Sequence, residues 1–338
     1  MKGPSGRLVR VHDPGCPQRP RTRLTMQTTS DPKAERLRSD APSDRPRAIA
    51  LMILAITLFS ALDTSAKYLG STYGLPVTQI AWSRFLGQFV LLMLLVPLFG
   101  SLSLAQLFRT SHLKLQLVRS VLMAATTVLN FLALQHLRLD QTITIVFLAP
   151  LVVALLAGPL LGEWVGWRRL LAIAVGFSGI VVALNPAMGS VHPAVLYSFA
   201  AMLAYALFML LTRYMAAFDP PMVTLFYSMF VGTFFGAPFA YATWVTPPDA
   251  QAWIMLASLG VLGGLGHWLF LHAYRLAPAS AVAPFLYFQL LSMIGFGYVV
   301  FDQLPDLNTL AGAAVVVASG IYLFHRERLT ARGASTSA

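Results

Sequence analysis

Four ionisable side chains stand inside stretches that are otherwise apolar: Asp63, Lys67, Arg84 and His267. In hydrocarbon such a residue costs about 2.5–3.5 kcal/mol to insert and is usually kept for a task. Asp63 and Lys67 are spaced i,i+4, which stacks them on one helix face and allows a local ion pair. Asp63 lies about six residues from the end of its apolar run, and Arg84 about seven from the start of the next. At about 1.5 Å per residue both are about 10 Å deep, so they can meet across antiparallel neighbours. Two chemistries are open. Arg84 holds an anionic or carboxylate-bearing ligand, with Asp63 as its partner or as a protonatable coupling group; or the two form a permanent pair that locks two helices.

The elements that position them are membrane helices. The 338-residue chain is 57% hydrophobic and only 11% charged, against about 25% charged in a soluble domain. The net charge of +11 is no nucleic-acid signal. Residues 1–47 hold eleven basic and five acidic residues, and the remaining +5 is scattered over short loops without a basic face. The lone cysteine, Cys16, excludes a disulfide framework and a thiolate metal site. Ten apolar runs are long enough to span a bilayer, at 48–69, 77–99, 115–137, 142–161, 167–185, 194–215, 222–244, 252–274, 280–301 and 308–324. Turn residues separate them, as at Gly70-Ser71-Thr72-Tyr73-Gly74, Asp219-Pro220-Pro221 and Thr246-Pro247-Pro248-Asp249.

Positive charge in short loops orients the runs. A cytoplasmic N-terminus places Arg36, Arg38, Arg45, Arg47, Arg109, Lys114, Arg119, Arg168, Arg169, Arg213, Arg275, Arg326, Arg328 and Arg332 inside, leaving Arg138 and Lys67 at the outer side. An even number of spans returns the C-terminus to the cytoplasm. Residues 1–47 read as a disordered basic tail, within which Met26 is an alternative start, and 325–338 as a C-terminal tail.

The spans also repeat. Phe131-Leu132-Ala133-Leu134-Gln135-His136-Leu137-Arg138-Leu139 is echoed by Trp268-Leu269-Phe270-Leu271-His272-Ala273-Tyr274-Arg275-Leu276. Lys67-Tyr68 matches Arg213-Tyr214, and Pro76, Phe85 and Gly87 match Pro221, Phe230 and Gly232. Five spans per half is odd, so the halves, 48–185 and 194–324, are expected to be inverted about an axis in the membrane plane. Met209 and Met229 stand where the first half has Asp63 and Arg84. A purely architectural pair would be expected twice, so this asymmetry tilts the pair toward function.

Two five-span repeats carrying Ala149-Pro150 with Leu161-Gly162-Glu163, and Ala283-Pro284-Phe285-Leu286-Tyr287-Phe288-Gln289 with Phe301-Asp302, resemble the drug/metabolite transporter superfamily of EamA type over about residues 45–325. The resemblance implies an all-α polytopic fold of ten helices in two inverted five-helix repeats. It also implies a secondary carrier of small metabolites in a bacterial inner membrane. The stretch Ala61–Leu69, around Asp63, resembles subgroups that move amino-acid-derived, nucleoside-containing or vitamin-like solutes. Export by the same fold is the alternative within transport.

Further candidates follow for a substrate cavity near the midplane. Pro150 removes a backbone donor and kinks its helix, freeing a carbonyl. Gln289, at the matching place in the second half, can bond a polar ligand or a neighbouring helix. Asn130 and His267 form another matched pair, with a core histidine as the plainer role for His267. Tyr205, Trp268, Trp82, Tyr197 and Tyr287 could wall a flat ring or serve as packing and interface anchors. Lys67 and Arg213 are expected to snorkel to the interface. Glu163 and Asp302 are expected to cap or tether the fifth and tenth helices. Gly232-x-x-x-Gly236 and Gly260-x-x-x-Gly264 allow close helix contact.

No phosphate-binding loop, metalloprotease helix or nucleophile elbow occurs, and no cofactor or metal is expected. A membrane enzyme or scaffold and a passive channel are the weaker classes. Expected partners are a small-molecule substrate, the lipid bilayer, a proton or counter-solute, and a second copy of the chain, but not nucleic acid.

Overall fold

The computed structural model describes residues 44–99, 104–161, 166–184, 192–216, 218–277 and 282–336. Glu163 and most of the expected N-terminal tail lie outside the described residues. Among the described residues every regular element is a helix. In chain order they are α1 Arg45–Ser71, α2 Val77–Phe99, the short α3 Leu104–Leu107, α4 Leu113–Leu134, α5 Leu139–Val146, α6 Ala149–Leu161 and α7 Trp167–Leu184. Then follow α8 Val195–Met215, α9 Pro221–Phe234, α10 Ala237–Ala242, α11 Ala250–Leu276, a 3₁₀ segment Ala283–Tyr287, α12 Phe288–Phe301 and α13 Leu307–Thr336.

Among the described residues eight helical stretches are long and apolar enough to cross a membrane, and two shorter apolar helices, Leu170–Leu184 and Leu307–Leu323, accompany them. All ten coincide with the apolar runs to within a few residues. The last helix differs, running on to Thr336 rather than ending near 324. Residues 325–336 carry three Arg and two Ala, good helix formers that need no burial.

Three runs are broken where the sequence removes or loosens a helical hydrogen bond. α5 gives way to α6 at Phe147–Leu148, just before Pro150, whose ring nitrogen cannot donate to the Val146 carbonyl. The matching run in the second half opens as a 3₁₀ turn carrying Pro284 before α12. α9 breaks from α10 at Phe235-Gly236, with Pro238 in the first turn of α10.

Helix pairing follows one rule. Exchange α1 with α8, α2 with α9, α4 with α11, the α5–α6 run with α12, and α7 with α13. The contact of α1 with α11 then becomes that of α8 with α4, α2 with α11 becomes α9 with α4, and α1 with α12 becomes α8 with the α5–α6 run. The contacts of α2 with α9, of α5 with α12 and of α7 with α13 map onto themselves. Small residues allow the tightest crossings. A Cβ on Gly87 would lie 2.7 Å from the Cα of Gly260, and one on Gly179 would lie 2.9 Å from the Gly312 carbonyl oxygen.

Helix starts are capped outside the apolar runs. The Asp249 carboxylate accepts from Ala252 N–H at 2.7 Å, and Asp306 accepts from Thr309 N–H at 2.6 Å. That backbone hydrogen bond holds the Asp306 carboxyl below its ordinary range. Asp306 therefore caps the last helix, in the role expected of Asp302. Asp302 instead ends α12, exposed and in the left-handed conformation at φ 52°.

Candidate functional site

A cavity of about 490 Å³ lies between the halves, within the range of small-molecule sites. α1 contributes Asp63, α2 Arg84, and α4 Thr127 and Asn130. His267 comes from α11, Tyr205 and Met209 from α8, Pro150 and Val146 from the broken α5–α6 run, and Tyr287 and Gln289 from the corresponding break before α12. Unwinding in both runs thus sits at the cavity, where irregular backbone is tolerated because it is not facing lipid.

The charged residues do not meet as expected. Among the described residues no carboxylate lies within 4.0 Å of the Arg84 guanidinium. Arg84, only 8% exposed, donates from Nη1 to Thr127 Oγ1 at 3.3 Å, and its Nε has no partner among the described residues. Its guanidinium sits 5.8 Å from the Phe131 ring centre and 5.9 Å from that of Phe85, a favourable cation–π placement. Asp63 accepts one hydrogen bond on Oδ1, from Asn130 Nδ2 at 3.3 Å. The pair is neither a locked bridge nor a solvated surface; each charge is partly held and faces the same space.

Lys67 is a correction on two counts. It neither pairs with Asp63 nor snorkels, because it is 5% exposed and donates from Nζ to the Leu137 carbonyl at 2.5 Å. It also lies 5.2 Å from the Phe301 ring centre. One ammonium therefore ties α1 to the end of α4 and the end of α12. Nearby, Arg138 grips Asp140 through two hydrogen bonds, at 3.1 and 2.6 Å, and Gln79 exchanges two with the Val245 backbone, at 2.8 and 3.0 Å. Tyr68 packs between Tyr73 and Phe301. This end of the bundle is bolted. At the other end the cavity lining includes Arg213, which is exposed in the last turn of α8, and Tyr274 near the end of α11.

Of the remaining expected residues, Asn130, His267, Tyr205, Gln289 and Pro150 all line the cavity. His267 is packed edge-on against Phe59 at 4.9 Å. Trp268 does not line the cavity: it is 48% exposed on the outer face of α11, its ring centre 4.1 Å from that of His272 and tilted to it by 38°. Its neighbour His267 takes the inner face, since adjacent helical positions point about 100° apart. Trp82 and Tyr197 also lie outside, Trp82 donating to the Thr233 carbonyl at 3.0 Å.

A second buried arginine was read from the sequence as a loop charge. Arg119, on the second turn of α4, is 2% exposed. It donates to Gln116 Oε1 at 3.3 Å, Thr212 Oγ1 at 3.2 Å and Ser228 Oγ at 2.5 Å, and also to the Thr224 carbonyl. Gln116 in turn donates to Asp219 Oδ2 at 2.7 Å, which also receives Thr110 Oγ1 at 2.5 Å. Arg119 lies over Phe208 at 5.0 Å. The network joins α4 to α8, α9 and the loop between them. Asp219, an acid in a loop on the basic side, was the available signal.

The sequence model of the EamA-like transporter family matches residues 46–185 and again residues 192–325. An S-adenosylmethionine uptake transporter of Rickettsia prowazekii is 27% identical over 293 residues, covering 86% of this chain and 96% of that protein. A riboflavin transporter of Brucella anthropi is 28% identical over 295 residues, covering 84% and 100%. A pseudopaline exporter, CntI, of Pseudomonas aeruginosa is 27% identical over 286 residues, covering 83% and 96%. A crystal structure of a protein with 17% identity superimposes with a TM-score of 0.58, covering 82% of this chain and 96% of the other, a likeness of fold.

Proposed function

The chain belongs to the EamA-like transporter family, and on that premise we propose that it is a secondary carrier moving a small polar metabolite across the bacterial inner membrane by alternating access. The observation that carries the reading is an incompletely bonded Asp63 and Arg84 in a cavity bolted at one end and lined by exposed Arg213 at the other. The names of the relatives support an amino-acid-derived, nucleoside-containing or vitamin-like solute.

Two inverted five-helix repeats, 48–185 and 194–324, would rock about this cavity, all ten apolar segments crossing the bilayer and both termini cytoplasmic. The excess of positive charge on the Arg213 and Arg275 side supports that orientation. The cavity then faces the cytoplasm, and the Lys67–Leu137 tie is the closed outer gate. Arg84 and Asp63 bind or couple, Asn130 and Gln289 hold polar groups, Tyr205 and Tyr287 pack against the solute, and a proton or counter-solute supplies the drive. Export is the second reading, supported by the exporter among the relatives.

Reconstitution into proteoliposomes tests the reading. Flux of the carried solute is expected to saturate, to be inhibited by competitors, and to show exchange with solute on the opposite side. Flux that rises linearly with concentration and ignores competitors would make the protein a channel instead.

A further inference from the structure

We propose that the cavity selects a zwitterionic head group, with its carboxylate on Arg84 and its ammonium on Asp63, so that a free α-amino-acid group is the feature this site reads. The assignment rests on the carrier reading above and sharpens it.

The geometry separates the two charges rather than joining them. Arg84 is held by Thr127 and Asp63 by Asn130, two residues three positions apart on one face of α4. That spacing sets the anchors about 4.5 Å apart along the helix axis. The Arg84 and Asp63 charges themselves are more than 4.0 Å apart, a gap that a group carrying both signs on one tetrahedral carbon can fill with hydrogen bonds of about 2.8 Å. Each charge also has capacity left. A guanidinium carries five N–H donors, of which Arg84 uses one with Thr127 while its Nε has no partner among the described residues. A carboxylate accepts about four hydrogen bonds, and Asp63 receives one among the described residues.

Charge balance then narrows the ligand. A simple anion on Arg84 would face the Asp63 carboxylate, and a simple cation on Asp63 would face the guanidinium. A neutral ligand would leave two poorly solvated charges. Only a ligand bearing both signs satisfies both. Arg213 adds a further charge at the exposed end of the wall, and the stretch beside the pair is formed by Met209, the repeat counterpart of Asp63, with Tyr205, Tyr287, Phe147 and Met293. Those side chains suit an apolar or aromatic extension, and 490 Å³ leaves room for one beyond the amino-acid group.

The test uses the full-length protein in nanodiscs and measures binding within matched series. One is L-tryptophan, tryptamine and indole-3-propionate; another is S-adenosylmethionine and its decarboxylated form; riboflavin serves as a ligand without the zwitterion. In at least one series the complete zwitterion is expected to bind about tenfold or more tightly than each truncated form. Arg84→Gln should erase the advantage of the carboxylate alone, and Asp63→Asn that of the ammonium alone. Arg84→Lys, which keeps the charge, should retain part of the carboxylate preference, separating lost recognition from lost folding. Truncated ligands binding as well as the whole, riboflavin binding while every zwitterion fails, or no zwitterion binding at all would each overturn the assignment. Saturable flux of another solute would leave the carrier reading standing in those cases, whereas no saturable flux of any solute would defeat that reading itself.

Discussion

Two buried arginines meet α4 at different heights, Arg119 from α4 itself and Arg84 reaching it from α2, and the two are bonded in opposite ways. Arg119 spends its donors on Gln116, Thr212, Ser228 and the Thr224 carbonyl, and the nearby Asp219 collects Gln116 and Thr110. Among the described residues Arg84 hydrogen-bonds Thr127 alone and leaves Nε without a partner, and Asp63 hydrogen-bonds Asn130 alone. Both arginines are nearly out of reach of water. A buried cation whose donors are consumed by the protein is glue between helices. One whose donors are left over is, on the proposed carrier reading, a group kept for a ligand, because an unsatisfied buried donor costs free energy.

The contrast is sharpest in what truncation does. Arg119→Met should be the most damaging change, removing four charge-assisted hydrogen bonds and destabilising the fold on the order of 3 kcal/mol; thermal unfolding in detergent, with the yield of monodisperse protein, measures it. Arg84→Gln should reduce flux at least about a hundredfold, as loss of charged ligand contacts does, while unfolding stays near wild type. Asp63→Asn should cost about tenfold in flux, again with folding kept, since the amide can still bond Asn130. Trp268→Ala should change flux by less than about twofold, because its indole faces outward; a large loss would put that residue back in the site.

The smallest effect concerns Asp306, which lies outside the membrane segments. Its folded carboxyl is held below the ordinary value of 3.8 by the Thr309 N–H. The contribution of the cap is therefore fully present above that value and is lost as pH falls below it. Asp306→Ala should flatten the acid limb of the stability profile slightly without changing the neutral plateau shape.

How far the sequence carried this picture depends on the kind of signal. Long apolar runs located the helices, because a bilayer admits little else. Depth counting put Asp63 and Arg84 at one level, repeat matching marked Asn130, His267, Gln289 and Pro150, and aromatic type marked Tyr205; all seven line one cavity. Depth counting could not tell a pair in contact from a pair held apart, which depends on two uncharged residues: Thr127, which carries no pattern of its own, and Asn130, marked only as the repeat counterpart of His267. Lys67 and Arg119 were misplaced for a shared reason. Both lie within about two turns of a helix end, where charge ordinarily reaches water, and their partners are a backbone carbonyl and hydroxyls distant in sequence. Trp268 was one position off the inward face.

If Arg84 is kept for a ligand and Arg119 for the fold, thermal unfolding of Arg84→Gln and Arg119→Gln side by side, with no ligand present, will separate them. Arg84→Gln should unfold at or above the wild-type temperature, having shed a buried, under-bonded charge, while Arg119→Gln should unfold well below it. If Arg84→Gln fell as far as Arg119→Gln, both arginines would be glue, and the cavity would have lost the group that marks it as a binding site.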